Sequence, residues 1–272
     1  MKQIAPNLSR VQETSLLTLW AKAVENRQPK PIIYSPKADE VAAGLDYEFS
    51  QFGRSTLAQT ALCVRARLLD EWVRQFLQRY PSGTVIEVGA GLDARFERLD
   101  NGQLTWFDVD LPEVTALRQQ FFQAGPRRHS VGASILEQSW LQIVRAKTSG
   151  PWLLVAEGVL PYLTEADVRR FFFAAAAALP GMQIAFDVYA PWVCWLTRWT
   201  LLRHFSARLM WGISDLSCLQ DVAQHYRLVK VVQFSDFLLA YRDRFPFVLQ
   251  LLGENISLLD RGVRLVLMQL PQ

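Results

Sequence analysis

Residues Thr84-Val85-Ile86-Glu87-Val88-Gly89-Ala90-Gly91-Leu92-Asp93-Ala94-Arg95 form a short apolar run that ends in a carboxylate and then in two closely spaced glycines. A strand running into Gly-x-Gly is the entry to a nucleotide-binding turn, because Gly89 can take backbone angles closed to other residues. The missing side chains at Gly89 and Gly91 also let a ligand lie directly against the backbone. A flat, ribose-bearing ligand is the expected occupant.

Taken alone, Gly89-x-Gly91-x-x-Ala94 also satisfies the dinucleotide fingerprint, with Asp108 at about the usual ~20-residue distance downstream. A tight strand-to-helix turn that holds nothing is the plain structural alternative. Two charges favour S-adenosylmethionine over NAD. Glu87, just before the turn, suits a ligand that carries an ammonium, and Asp93 stands where a pyrophosphate would want no negative charge.

The chain has 272 residues, 50% of them hydrophobic, enough for one α/β domain with a sizeable core. We divide that single domain into a helical N-terminal cover (1–80), a cofactor-binding core (81–190), a helical lid insert (191–226) and a C-terminal sheet edge (227–272). Net charge is +3, from 29 basic and 26 acidic residues without a long basic run, which gives nucleic acid no electrostatic footprint. Cys63, Cys194 and Cys218 are odd in number and far apart, so neither a disulfide framework nor a zinc site is indicated. The first residues lack a signal peptide's apolar stretch, and the apolar run 171–179 is short of the ~20 residues a bilayer requires. A soluble cytoplasmic protein acting on a small molecule is the expectation.

Apolar spacing predicts helices over 9–25, capped by Ser9, and over 56–80, which carries Arg65 and Arg67. After the glycine turn, strands over 103–109, 128–132 and 152–157 alternate with helices over 112–123 and 138–146, the rhythm of a parallel sheet. In such sheets ligands lie outside the carboxyl ends of the strands. The informative residues are therefore Glu87, Asp108 and Asp110, Ser134, and Glu157. A helix from Thr164 to about Leu179 and a fifth strand over 182–189 follow, and there the rhythm breaks. Residues 191–211 hold four tryptophans, Trp192, Trp195, Trp199 and Trp211, interspersed with arginines. Buried packing, a lid over an apolar substrate pocket and a membrane-surface helix all fit that composition, and the position after the fifth strand favours the lid. A helix over 217–225, a strand over 228–234, a helix over 246–252 and a strand over 263–270 complete the chain, with one of the late strands antiparallel.

Three stretches, Glu87-x-Gly89-Ala90-Gly91-Leu92-Asp93-x-Arg95, Asp108-Val109-Asp110-Leu111-Pro112 and Glu157-Gly158-Val159-Leu160-x-Tyr162-Leu163, together resemble the leucine carboxyl methyltransferase family. The family includes bacterial polyketide O-methyltransferases, and the resemblance runs from about Arg65 to Tyr189. It implies a Rossmann-like class I methyltransferase, an α/β fold with a mostly parallel seven-stranded sheet that binds S-adenosylmethionine. By position, Arg65 matches the arginine that pairs with the methionine carboxylate, Gly89 and Gly91 the glycines under the cofactor, and Glu157 the carboxylate near its amino-acid end. Asp110 matches the ribose acceptor, although Asp108 points to the same side of its strand and leaves that assignment open. Beside the adenine the family usually carries Asp-Leu, where this chain has Ser134-Ile135.

Methyl transfer from a sulfonium is an in-line displacement that needs alignment and exclusion of water, with no metal and no covalent enzyme intermediate. An apolar metabolite such as a polyketide-type product, free or carrier-bound, is the expected acceptor, through a carboxyl group in preference to a hydroxyl. Tyr162, Trp192, Trp195 and His204 are the residues expected to face it, His204 being the one candidate base if a hydroxyl is the acceptor. The alternatives are a protein C-terminal carboxyl methyltransferase, an NAD-dependent oxidoreductase and a cofactor-binding protein without catalysis.

Overall fold

A strand such as β1 (Thr84–Val88), buried at every position, must lie between layers, and both of its edges are paired: with β2 (Thr105–Asp110) on one side and β4 (Trp152–Ala156) on the other, both in parallel. In the computed structural model this pairing extends to a seven-stranded sheet of order β3-β2-β1-β4-β5-β7-β6. The structure describes residues 3–8, 10–53, 56–200, 202, 205–222, 226–245, 250 and 257–271. β3 is Arg128–Gly132, β5 Gln183–Tyr189, β6 Arg227–Val232 and β7 Val263–Gln269. The first five strands run parallel. β7 is antiparallel to both of its neighbours and inserts between β5 and β6. The fold expected from the sequence is the one observed.

Eleven helical segments among the described residues take labels here: α1 (Thr14–Glu25), α2 (Pro36–Gly44), α3 (Thr56–Arg79), α4 (Arg95–Leu99), α5 (Pro112–Arg118), α6 (Ser139–Lys147), α7 (Glu165–Ala178), α8 (Pro191–Thr197), α9 (Leu219–Val222), α10 (Phe234–Ala240) and α11 (Ser257–Gly262). One face of the sheet buries Ile86, Leu154 and Phe186 against α6 and α7, through Trp140, Phe171 and Phe172. The opposite face buries Val85, Leu153 and Ala185 under α3 and α1, through Leu69, Trp72 and Leu17. A third cluster joins α1 and α2 to the glycine loop and α5: Leu16, Leu19 and Val41 pack with Leu92, Ala94 and Val114. The N-terminal helices therefore cover the turn at the end of β1 as well as the core.

The strand order reverses between β1 and β4, and both strands end in a glycine turn. Gly89 has φ +60°, and a Cβ there would come 2.4 Å from Cγ2 of Val159 in the loop after β4. Gly158 has φ +63°, and a Cβ there would come 3.3 Å from the Arg65 guanidinium. The loop after β4 thus packs against Gly89, Arg65 of α3 packs against Gly158, and a crevice opens at the reversal point.

Several expectations shift. The helix over 112–123 ends at Arg118, and the segment between α1 and α3 contains α2, whose only buried side chains are Ala38 and Val41. α10 lies where a strand end was expected. Its start is fixed by the Gln233 N–H, which donates to Asp236 Oδ2 at 2.7 Å. Ser9, most of the helix expected over 246–252 and the end of that expected over 217–225 lie outside the described residues.

Beneath the glycine loop Asp108 is a hub. Arg128 Nε donates to its Oδ2 at 2.8 Å, Trp106 Nε1 to its Oδ1 at 3.0 Å, and Arg118 Nη2 pairs with Oδ1 at 2.9 Å. Arg118 Nη1 in turn donates to the carbonyls of Gly91 (2.8 Å) and Asp93 (3.0 Å), so α5 braces the loop. Burial alone would raise the Asp108 pKa, but the two guanidiniums hold it below the usual carboxylate range. Asp108→Ala strands two buried cations, and urea unfolding should show a loss of about 3–5 kcal/mol. A variant as stable as the parent would show that the loop does not rest on this hub.

Candidate active site

A cavity of about 320 Å³ occupies the crevice outside the ends of β1 and β4, within the size range of small-molecule sites. Of the residues expected around a cofactor, Arg65, Glu87, Gly89, Gly91, Asp110, Ser134, Ile135 and Glu157 line it. Asp108 does not; its oxygens are taken up by the hub described above, which leaves Asp110 as the acid on the wall. Asp110 Oδ2 accepts the Gly91 N–H at 2.7 Å, and its Oδ1 accepts the Leu111 N–H at 2.7 Å. Ser134 and Ile135 lie beyond the end of β3, on the opposite side of the glycine loop from Arg65.

The acceptor-side expectations fare unevenly. Tyr162 lines the cavity, and burial pushes its phenol pKa up. Trp192 and Trp195 do not line it. Trp192 packs towards Gly262, where a Cβ would meet its ring at 2.8 Å, and Trp195 is 65% exposed. The reason is the phase of α8: Val193 is the side chain it buries, so Trp195 points outward. His204 lies outside the described residues. The insert nevertheless reaches the site through Thr197, Leu202 and Leu209, and the backbone N–H groups of Met210 and Trp211 donate to the Pro161 carbonyl at 2.7 and 3.0 Å.

Charge is concentrated at one end of the cavity. Arg95, fully buried, donates to Asp70 Oδ1 at 2.7 Å, to Glu87 Oε1 and to Glu157 Oε2, with Asp93 3.6 Å away. Arg98 pairs with Asp70 (2.8 Å) and Asp93 (2.7 Å), and Lys22 of α1 with Asp93 (2.6 Å). Arg65 pairs with Glu157 and Asp187, each at 3.0 Å, and donates to Tyr189 Oη at 2.8 Å. Four cations thus face five carboxylates. Glu157, which burial would raise, is held at about 2 by Lys22, Arg65 and Arg95. Glu87 carries the shortfall: burial pushes it up to about 8 against the pull of Arg95, and its Oε2 is buried with no hydrogen-bond partner among the described residues.

The sequence profile of leucine carboxyl methyltransferases matches residues 15–176. The chain belongs to the leucine carboxyl methyltransferase family. It is an S-adenosylmethionine-dependent methyltransferase. Tetracenomycin polyketide synthesis O-methyltransferase TcmP of Streptomyces glaucescens is 36% identical over 216 residues, 79% of each chain. The S-adenosyl-L-methionine-dependent methyltransferase dpfgK of Gibberella zeae is 32% identical over 176 residues, 59% of each. Among solved structures, a duf574 family protein from Streptomyces avermitilis superposes with a TM-score of 0.58 at 14% identity, covering 94% of this chain and 97% of its own. Magnesium protoporphyrin IX methyltransferase from Synechocystis PCC 6803, with bound SAH, gives 0.50 at 9% identity, covering 80% and 89%. These two likenesses speak to the fold.

The cavity of this leucine carboxyl methyltransferase relative fits the cofactor on its own chemistry. The orphan Oε2 of Glu87 asks for a cationic donor such as an ammonium, and Asp110, on the cavity wall at the end of β2, offers a carboxylate to ribose hydroxyls. Several wall residues were not legible beforehand. Thr14, Ser15, Thr18 and Lys22 of α1 line the cavity, and a Cβ on Gly91 would come 2.9 Å from Ser15 Cβ. Tyr189, at the end of β5, lines it too, donating its proton to Asp187 Oδ2 at 2.7 Å. A lysine inside the apolar stripe of α1 was the one available signal.

A proton count tests the Glu87 assignment. Below about pH 8 Glu87 is largely protonated in the ligand-free protein, and an ammonium at Oε2 draws it into the ionised form, so binding releases a proton. Affinity for S-adenosylhomocysteine, measured calorimetrically, should rise up to about tenfold per unit from about pH 6 to about pH 8 and then level off. Glu87→Gln should flatten the profile. A flat profile in the parent protein would remove Glu87 from the binding site.

Proposed function

We propose that this methyltransferase transfers the methyl group to an oxygen of a small, largely apolar acceptor, with a carboxylate as the preferred acceptor group. One observation carries the choice of group. Among the described residues that line the cavity there is no histidine, and the carboxylates are engaged: Asp93 and Glu157 in ion pairs, Asp110 by two backbone N–H groups, and Glu87 by Arg95 at Oε1, its Oε2 being the oxygen assigned to the ammonium of the cofactor. An acceptor already ionised at neutral pH needs no base, which matches a wall that offers none once Glu87 is taken up by the ammonium. Support for the substrate class comes from the aliphatic side of the cavity and from the polyketide relative TcmP.

When bound, S-adenosylmethionine supplies an electrophilic methyl on a sulfonium. The chain's residues do the rest. Arg65, braced by Glu157, Asp187 and Tyr189, and Glu87, braced by Arg95, hold the amino-acid end. Asp110 holds the ribose, and Ser134 and Ile135 flank the adenine. Leu202, Leu209, Pro161 and Tyr162 wall the acceptor side and keep water out, while α1 closes the crevice from above.

Incubation with labelled cofactor and a panel of aromatic carboxylic acids should give products that release labelled methanol under mild alkali, as esters do. Alkali-stable ethers would move the acceptor to a hydroxyl. Leu209→Ala should raise the acceptor KM by about tenfold while S-adenosylhomocysteine binds within about twofold of the parent. Equal loss of both would place Leu209 in the general core.

A further inference from the structure

The segment that walls the acceptor side also carries an exposed apolar face. On α8 and the turn that continues it, Trp195 (65% exposed), Leu196 (42%) and Trp199 (61%) lie outward, and at about 100° per residue they fall within one arc of ~100°. The turn stays helical in character beyond Thr197: the Trp199 N–H donates to the Leu196 carbonyl at 3.0 Å, and the Thr200 hydroxyl donates to the same carbonyl at 3.0 Å. Met210, near the other end of the segment, is 61% exposed. Isolated exposed apolar residues need no explanation, but two tryptophans one turn apart do.

Charge identifies what covers them. Between Asp187 and Asp215 the chain has no acidic residue and three arginines, Arg198, Arg203 and Arg208. The Arg198 guanidinium sits 5.3 Å from the Trp199 ring, so cation and aromatic are presented together. Tryptophan and arginine side by side, without acids, match the chemistry of an anionic bilayer surface, where indole rings settle at the headgroup level and guanidiniums meet phosphates. Thr197, Leu202 and Leu209 of the same segment line the cavity, and Val11 and Leu111, each more than a third exposed, line it as well. We propose that the face formed by Trp195, Leu196 and Trp199 docks the enzyme on anionic lipid surfaces, placing the acceptor side of the cavity next to the medium in which an apolar acceptor dissolves. No described helix is long and apolar enough to span a membrane, so contact of this kind is interfacial and reversible. The lipid contact does not depend on the identity of the acceptor group.

Co-sedimentation of the full chain with vesicles of phosphatidylcholine alone, and of phosphatidylcholine mixed with phosphatidylglycerol, tests the surface. Binding should be confined to the mixed vesicles, weaken with added salt, and fall by about tenfold in Trp195→Ala/Trp199→Ala. The thermal shift produced by S-adenosylhomocysteine in that variant should match the parent's, which separates loss of docking from loss of the cofactor site. No binding to mixed vesicles, or equal binding by the double variant, overturns the proposal. So does a parent protein that sediments as a dimer while the double variant is monomeric, or that binds only an acidic protein domain, because the face then belongs to a protein partner.

Discussion

The Arg95 guanidinium is the point through which the site is assembled. It is fully buried, and its partners come from four places in the chain: Asp70 from α3, Glu87 from β1, Asp93 from the glycine loop and Glu157 from the end of β4. A buried cation of this kind is stable only when its donors are matched, and a planar fork with five N–H groups can match several carboxylates at once. Because Arg95 is shared among so many acids, it cannot neutralise all of them. Lys22, Arg98 and Arg65 close part of the gap, and the remaining deficit rests on Glu87, which lines the cavity and whose Oε2 has no hydrogen-bond partner among the described residues. The acids at this end of the cavity thus outnumber the cations by one, and the ammonium contact proposed for Glu87 rests on that imbalance.

The backbone makes the same place accessible. Two glycine turns, at the ends of β1 and β4, flank the point where the strand order reverses, with Val159 packed against Gly89 and Arg65 against Gly158. α1 then lies over the glycine loop, with Ser15 against Gly91 and Lys22 paired to Asp93. The N-terminal helix therefore forms part of the cavity wall and not the outer cover alone. The return of the insert at Met210 and Trp211, bonded to Pro161, sets the opposite wall.

The sheet was legible because its central strands, β1, β4 and β5, are largely apolar runs between turn residues, and the glycine turn because its residue types have few other uses. The cavity wall followed from strand ends, where topology fixes direction; Asp110 and Glu157 lie on the cavity for that reason. Direction on a helix is harder. The insert reaches the cavity as expected, yet its tryptophans do not, since composition carries no phase and Val193 took the inward position on α8. Asp108 and Asp110 share a strand face, and only the arginines from α5 and β3 reveal that the first is structural. Arg118 acts through partners distant in sequence, so nothing local marks it, and Lys22 is marked only by its place in the apolar stripe of α1. α2 escaped notice because it buries only two side chains.

The most direct test of the central role of Arg95 is calorimetric titration of Arg95→Lys with S-adenosylhomocysteine, paired with urea unfolding of the same preparation. Lysine keeps the charge but cannot bridge Asp70, Glu87 and Glu157 together, so affinity should fall by about a hundredfold and stability by about 3–5 kcal/mol. A variant that bound the ligand as tightly as the parent, at unchanged stability, would contradict the assembly of the site around this residue.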